Sequence, residues 1–133
     1  MGPYCGMTDG DGSKPTVLLC EDEYIVALDL QLLLEEFGYE VIGPFDSFSK
    51  GLNALNDVRP DMAVLDVRLR DGAVFPLADK LDELGIGLLF HSGHVQDSDI
   101  AEKYGNAMCC HKPIDTKRLR YALQKVCSAS PAH

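Results

Sequence analysis

The chain has no tryptophan, no apolar run of membrane-spanning length and few basic residues. A helix across a bilayer needs roughly 20 consecutive apolar residues, and no stretch approaches that. The N-terminus also lacks the basic region and apolar block of a secretory signal. No membrane contact is expected, and the chain reads as cytoplasmic. Lys and Arg number 12 against 21 Asp and Glu, a formal net charge of −9. A nucleic-acid module needs a basic face to neutralise phosphates. The one basic cluster, Lys117, Arg118, Arg120 and Lys125, reads as the solvated face of a final helix, where cations suit the dipole. Direct nucleic-acid binding is therefore not expected.

Paired cysteines are missing too. The five (Cys5, Cys20, Cys109, Cys110 and Cys127) are odd in number, which argues against a disulfide framework. The run Cys109-Cys110-His111 is too tightly spaced for a zinc site and no second ligand pair follows it. These thiols read as small hydrophobes in a buried strand. Gly2 does not signal myristoylation, because Gly6 stands where that motif wants Ser or Thr.

What is present suffices for one domain. The 133 residues are 46% apolar and 25% charged, enough for a real core. Residues 1–14, MGPYCGMTDGDGSK, read as a disordered leader or a cloning remnant. Residues 15–127 read as the folded domain, and residues 128–133 as a flexible tail. Within the domain, strand-like and helix-like segments alternate.

Thr16–Cys20 is a short apolar run suited to a strand buried on both faces. Glu23–Phe37 has helical periodicity and stops at Gly38. Tyr39–Gly43 reads as a second strand closed by Pro44. Ser47 caps a helix to about Asp57, before the break at Arg59-Pro60-Asp61. Met62–Asp66 is a third buried strand, followed by a loop holding Arg70-Asp71-Gly72. A helix over about Ala73–Leu84 tolerates Pro76 only in its first turn. Ile86–Phe90, a short helix near Asp97–Tyr104, and Ala107–Cys110 follow. The last helix starts beyond Pro113 with Asp115 as its cap and runs to about Cys127. Strand and helix alternating in this way predict an α/β fold: a flavodoxin-like (βα)5 three-layer sandwich with a parallel sheet of order 2-1-3-4-5. Its fourth helix is expected to be short or irregular.

Chemistry in such sheets gathers at the carboxyl ends of the strands. Strand one ends in Glu21-Asp22-Glu23, strand three in Asp66, strand four in His91-Ser92-Gly93 and strand five in His111-Lys112-Pro113. Crowded carboxylates repel unless a cation joins them, and Mg2+ suits a site of few carboxylates, waters and phosphate oxygens. Phosphoryl transfer asks for positioning and charge neutralisation more than covalent help. Asp66 would supply a nucleophilic oxygen, Lys112 a neutralising charge and Ser92 a hydrogen bond.

The segments VLLCEDE, MAVLDVRLRDG, LLFHSGH and CCHKPID, in that order, resemble the receiver domain of two-component response regulators, over about Thr16 to Val126. The resemblance implies that Asp66 is the phosphoacceptor. It makes Glu21, Asp22, Asp66 and the carbonyl of Arg68 the Mg2+ site, with Asp22 direct and Glu21 acting through a water. Ser92 and Lys112 would contact the phosphoryl group, and Pro113 would follow a cis bond. The implied phosphodonor is a histidine kinase or histidine phosphotransfer protein, and output runs through protein contacts to an unidentified downstream protein. Such a domain is not an enzyme in the ordinary sense; it catalyses only its own Mg2+-dependent phosphorylation and dephosphorylation.

Two features depart from that pattern. Receivers commonly carry a switching aromatic three positions before the lysine, where this chain has Cys109. The stretch from Ser92 to Cys109 is also short for a long helix plus a strand, so a loop-rich, mobile surface is expected there. Phe90-His91-Ser92-Gly93-His94 resembles the Phe-Ala-Thr-Gly-x-Tyr stretch of the FAT GUY subgroup, mostly alphaproteobacterial and often paired with kinases of the HWE class. His91, Ser92 and His94 replace its Ala, Thr and Tyr. Arg68 and His94 flank the expected phosphoryl position and would shield it from water.

Competing readings remain distinguishable. A dehalogenase-type phosphatase wants a second aspartate where Arg68 stands. A flavin binder wants a Gly-, Ser- and Thr-rich first loop where this chain is acidic. A degenerate receiver serving as a phosphorylation-independent scaffold, or the receiver part of a hybrid histidine kinase, stays open. The first helix carries Ile25, Val26, Leu28, Leu30, Leu32, Leu33, Leu34 and Phe37, a wider apolar spread than one buried stripe requires. Part of it is expected to dock a partner.

Overall fold

A computed structural model describes residues 14–128. Apart from Lys14, which is exposed, the expected leader and tail fall outside or at the edge of these residues. Five parallel strands form one sheet: β1 (Thr16–Cys20), β2 (Glu40–Phe45), β3 (Met62–Asp66), β4 (Gly87–Ser92) and β5 (Ala107–His111). Their order across the sheet is β2-β1-β3-β4-β5, the expected flavodoxin-like topology. The two strands buried along their whole length, β3 and β4, are the near-continuous apolar runs that a sheet covered on both faces requires.

Helices α1 (Tyr24–Glu36) and α4 (Thr116–Ser128) cover one face, while α2 (Phe48–Ala54) and α3 (Phe75–Glu83) cover the other. Alternation along the strands divides the core accordingly. Leu18, Leu65, Leu88 and Phe90 pack with Leu77 and Leu81 of α3; Val17, Leu19, Val64 and Leu89 pack with Leu34 of α1 and Leu119 and Leu123 of α4. Ser47 caps α2 by accepting from the Lys50 backbone N–H at 3.2 Å, and Asp115 caps α4 by accepting from that of Arg118 at 2.8 Å. Pro76 lies in the first turn of α3, as its ring requires. Among the described residues, no helix is long and apolar enough to cross a membrane.

Three local expectations are corrected. Pro44 does not close β2: the strand continues to Phe45 through a cis Gly43–Pro44 bond. An edge strand tolerates the missing N–H, and Gly43 (φ +113°) passes so close to β1 that a Cβ would sit 2.7 Å from the Leu19 carbonyl. The loop after β3 contains a two-residue hairpin, Arg68–Leu69 against Gly72–Ala73. The expected short or irregular fourth helix is a 3-10 helix, Val95–Lys103, which takes the place of the loop-rich surface also expected before β5. Nine residues is long for this type, whose hydrogen-bond geometry is poorer than that of an α-helix.

Candidate functional site

Sheet register sets the site. Asp66 is opposite His91, and Ser92 is opposite His111, one residue before Lys112. Glu21 follows β1 directly. The strand ends therefore bring Glu21, Asp66, Ser92 and Lys112 to one edge, with Asp22 exposed beside them. A cleft of about 290 Å3 opens there, lined by Asp22, Asp66, Arg68, Ser92, His94 and Lys112 among others.

Lys112 is the hub. Its Nζ lies 3.1 Å from Asp66 Oδ2, 3.1 Å from Glu21 Oε1 and 3.3 Å from Glu23 Oε1. Its backbone N–H donates to the Ser92 carbonyl at 2.7 Å, which ties the lysine to β4, and the Lys112–Pro113 bond is cis. Burial works against the lysine's charge, yet Asp66 and Glu21 outweigh it and hold its pKa above the ordinary value. Burial pushes the Asp66 carboxyl up, and Lys112 only partly opposes this. Burial likewise raises Glu21, to about 7. Two buried acids beside one lysine carry more negative charge than the site can neutralise alone.

Glu21, Asp22 and Asp66 present oxygens within 4.8 Å of one another. Glu21 Oε1 is buried without a hydrogen bond, despite Lys112 nearby. An oxygen-only donor set with surplus charge and an unsatisfied oxygen fits a hard divalent cation such as Mg2+. The Arg68 backbone N–H points back at Asp66 Oδ1, 3.4 Å away.

Two buried side chains complete the site in ways the sequence pattern did not suggest. His91 is almost fully buried, with Nδ1 3.4 Å from Glu21 Oε1 and no hydrogen bond at either ring nitrogen. Burial, reinforced by Lys112, lowers its pKa to about 3, so the ring is neutral. Asp97, in the 3-10 helix, is also buried. It accepts a short hydrogen bond from Ser92 Oγ and takes Arg68 in a two-pronged pair, Nη1 to Oδ2 at 2.6 Å and Nη2 to Oδ1 at 3.3 Å. The Arg68 pairing holds the Asp97 carboxyl below the usual range despite burial. Arg68 therefore turns toward Asp97 here, and His94 is exposed. An acid five residues after Ser92 looks no different in sequence from Asp99; only the path of the 3-10 helix selects it.

Cys20 and Cys110 are buried and Cys109 half-buried, all as free thiols. Burial raises the Cys20 pKa to about 12 and the Cys109 pKa to about 11, consistent with packing groups rather than thiolate ligands.

A doubly covered parallel sheet with acids, serine and lysine gathered at its carboxyl edge defines the receiver class of signalling domain. The chain belongs to the response regulator receiver domain family, whose sequence profile matches residues 17–124. An uncharacterized response regulatory protein of Vibrio cholerae is 30% identical over 84% of this chain and 48% of its own length. The phyllosphere-induced regulator PhyR of Methylorubrum extorquens is 34% identical over 74% of this chain and 38% of its own. Among solved structures, SdrG of Sphingomonas melonis superposes with a TM-score of 0.73 at 26% identity, covering 95% of this chain and 98% of that one. The chain spans between a third and a half of the curated relatives it matches.

Proposed function

We propose that this receiver is switched by phosphorylation of Asp66, taking the phosphoryl group from a histidine kinase or histidine phosphotransfer protein and signalling by protein contacts. The observation that carries the reading is the Asp66 carboxylate, held 3.1 Å from Lys112 Nζ at the floor of an open cleft beside Glu21 and Asp22. An Asp66 Oδ attacks the phosphorus of the donor phosphohistidine. The N–P bond breaks, and the imidazole leaves with the electron pair. The product is an acyl phosphate.

Asp22 and Asp66, the Arg68 carbonyl and, through a water, Glu21 would hold Mg2+; when bound it neutralises phosphoryl oxygens. Lys112 adds a fixed positive charge at the same place. Ser92, on β4 opposite His111, lines the same cleft.

Helix α1 supplies a docking face. Leu30 and Leu34 are buried, but Tyr24 (76%), Ile25 (73%), Leu32 (56%) and Leu28 (41%) are exposed beside the acceptor cleft. Ile25, Leu28 and Leu32 border an apolar groove of about 520 Å3 that reaches Pro113 and Ile114. A phosphodonor helix seated there would bring its histidine to Asp66.

A phosphorylation-independent scaffold is the second reading, favoured by Ser92 being already engaged by Asp97. Incubation with Mg2+ and a small phosphodonor, followed by intact mass, decides between them. The reading predicts a gain of one phosphoryl group that depends on Mg2+; no gain at any donor concentration leaves the scaffold.

A further inference from the structure

The position where receivers usually place a switching aromatic is Cys109, and its thiol donates to the backbone carbonyl of Asp97 at 3.5 Å. The same Asp97 binds Ser92 Oγ and the Arg68 guanidinium through its side chain. One buried residue thus joins the acceptor cleft, the 3-10 helix and β5. We propose that Asp97 is a positioning residue that engages the Ser92 hydroxyl and the Arg68 guanidinium in the resting protein, and that phosphorylation transfers both to the phosphoryl group and releases the first half of the Val95–Lys103 helix. This rests on the phosphoacceptor reading of Asp66.

Competition drives the exchange. Ser92 Oγ and Arg68 both donate to the Asp97 carboxylate, and both line the cleft where the phosphoryl group arrives. A phosphoryl group on Asp66 adds nearly two negative charges and three acceptor oxygens. If Ser92 and Arg68 turn to it, Asp97 is left as a buried carboxylate stripped of its ion pair and its hydroxyl donor, which is strongly unfavourable. The repulsion between Asp97 and the new phosphoryl charge acts in the same direction. The carboxylate is then driven toward water, and movement of its own backbone carries it there.

That backbone is prepared to move. A 3-10 helix of this length is weakly bonded, and the Cys109–Asp97 contact uses a weak thiol donor. The far end is better anchored. Tyr104 stacks on Phe90 with centroids 5.6 Å apart, and its hydroxyl donates to Asp79 at 2.8 Å. Opening is therefore confined to the first half of the segment, about residues 94–100, with Tyr104 staying in place. In this arrangement no aromatic gate is needed, because the acid itself carries the signal from the serine to the surface.

Backbone hydrogen exchange and intact mass are measured in parallel on the parent, Asp97→Ala, Asp97→Asn and, as a charge control, Asp99→Asn, each with and without Mg2+ and acetyl phosphate. Phosphorylation of the parent is expected to speed exchange at residues 94–100 several-fold while Tyr104 stays protected. In Asp97→Ala, exchange there should be fast before phosphate is added and should not rise further. Release of Ser92 should also speed phosphorylation by about three- to tenfold, the worth of one hydrogen bond. Asp97→Asn, which loses the ion pair but keeps an acceptor, should fall between, and Asp99→Asn should match the parent. A merely structural aspartate would slow phosphorylation when removed. Full phosphorylation of the parent with unchanged exchange at 94–100 overturns the proposal, as does a folded Asp97→Ala that phosphorylates no faster than the parent. If Asp97→Ala does not fold, the parent comparison decides alone. A parent that gains no phosphoryl mass overturns the Asp66 reading, and this proposal with it.

Discussion

At the scale of single residues, the site is a balance of buried charges around one lysine. His91 and Glu21 pull stability in opposite directions as pH changes. The His91 pKa falls from 6.5 to about 3 on folding, so the unfolded chain binds the extra proton. Its contribution is present above the unfolded value and lost as pH falls from 6.5 toward 3. Glu21 rises from 4.5 to about 7, so the folded protein binds the extra proton. Its contribution is present below the unfolded value and lost as pH rises through 7. His91→Ala removes one side of this opposition and leaves a cavity whose cost does not depend on pH. Thermal unfolding of parent and variant should therefore differ less at about pH 5 than at about pH 7. A gap that is constant or widens on acidification would show that His91 is not held neutral by burial.

Asp22 makes a second residue-scale prediction. As the exposed member of the acid cluster, it is the one carboxylate free of Lys112. Titration calorimetry should show weak Mg2+ binding to the parent and none to Asp22→Ala, since Mg2+ depends on direct carboxylate oxygens. Equal affinity in both would place the metal elsewhere. The acids, the serine and the lysine were legible in sequence because each follows an apolar strand. Asp97 and the burial of His91 were not, because contacts made across elements leave no local spacing behind.

At the scale of elements, periodicity and caps located every sheet strand and all four helices to within a few residues. What escaped was set by neighbours. Pro44 reads as a strand end, yet an edge position accommodates it; the Arg68–Ala73 hairpin is too short to leave a pattern. The caps themselves are testable. Ser47→Ala should cost about 1 kcal/mol in denaturant unfolding by removing the acceptor for the Lys50 N–H. An unchanged midpoint would mean that water replaces the cap fully. Gly87, at the start of β4, has no room for a side chain: a Cβ would meet the Val126 carbonyl at 2.8 Å and Asn106 Nδ2 at 2.9 Å. Gly87→Ala should cost about 1–3 kcal/mol as α4 is pushed from the sheet, and a neutral result would show that α4 shifts freely.

At the scale of the whole molecule, a parallel sheet needs helices on both faces, and that need consumes most of the apolar side chains. The remainder is informative. Four exposed apolar residues on α1, beside the cleft and on a chain of net charge −9, form the patch most in need of a partner. Ile25→Glu should leave phosphorylation by a small donor unchanged but slow transfer from a phosphohistidine protein by about tenfold or more, the cost of a charge in an apolar interface. Equal slowing with both donors would move the defect into the acceptor site itself.

The central claim is that Asp66 accepts the phosphoryl group, and one measurement addresses it directly. Parent and Asp66→Asn are incubated with Mg2+ and acetyl phosphate, and intact mass is read before and after hydroxylamine. The parent should gain one phosphoryl group and lose it to hydroxylamine, as an acyl phosphate does, while Asp66→Asn should gain none. Stoichiometric phosphate on Asp66→Asn, or a parent that gains no mass, would contradict the account.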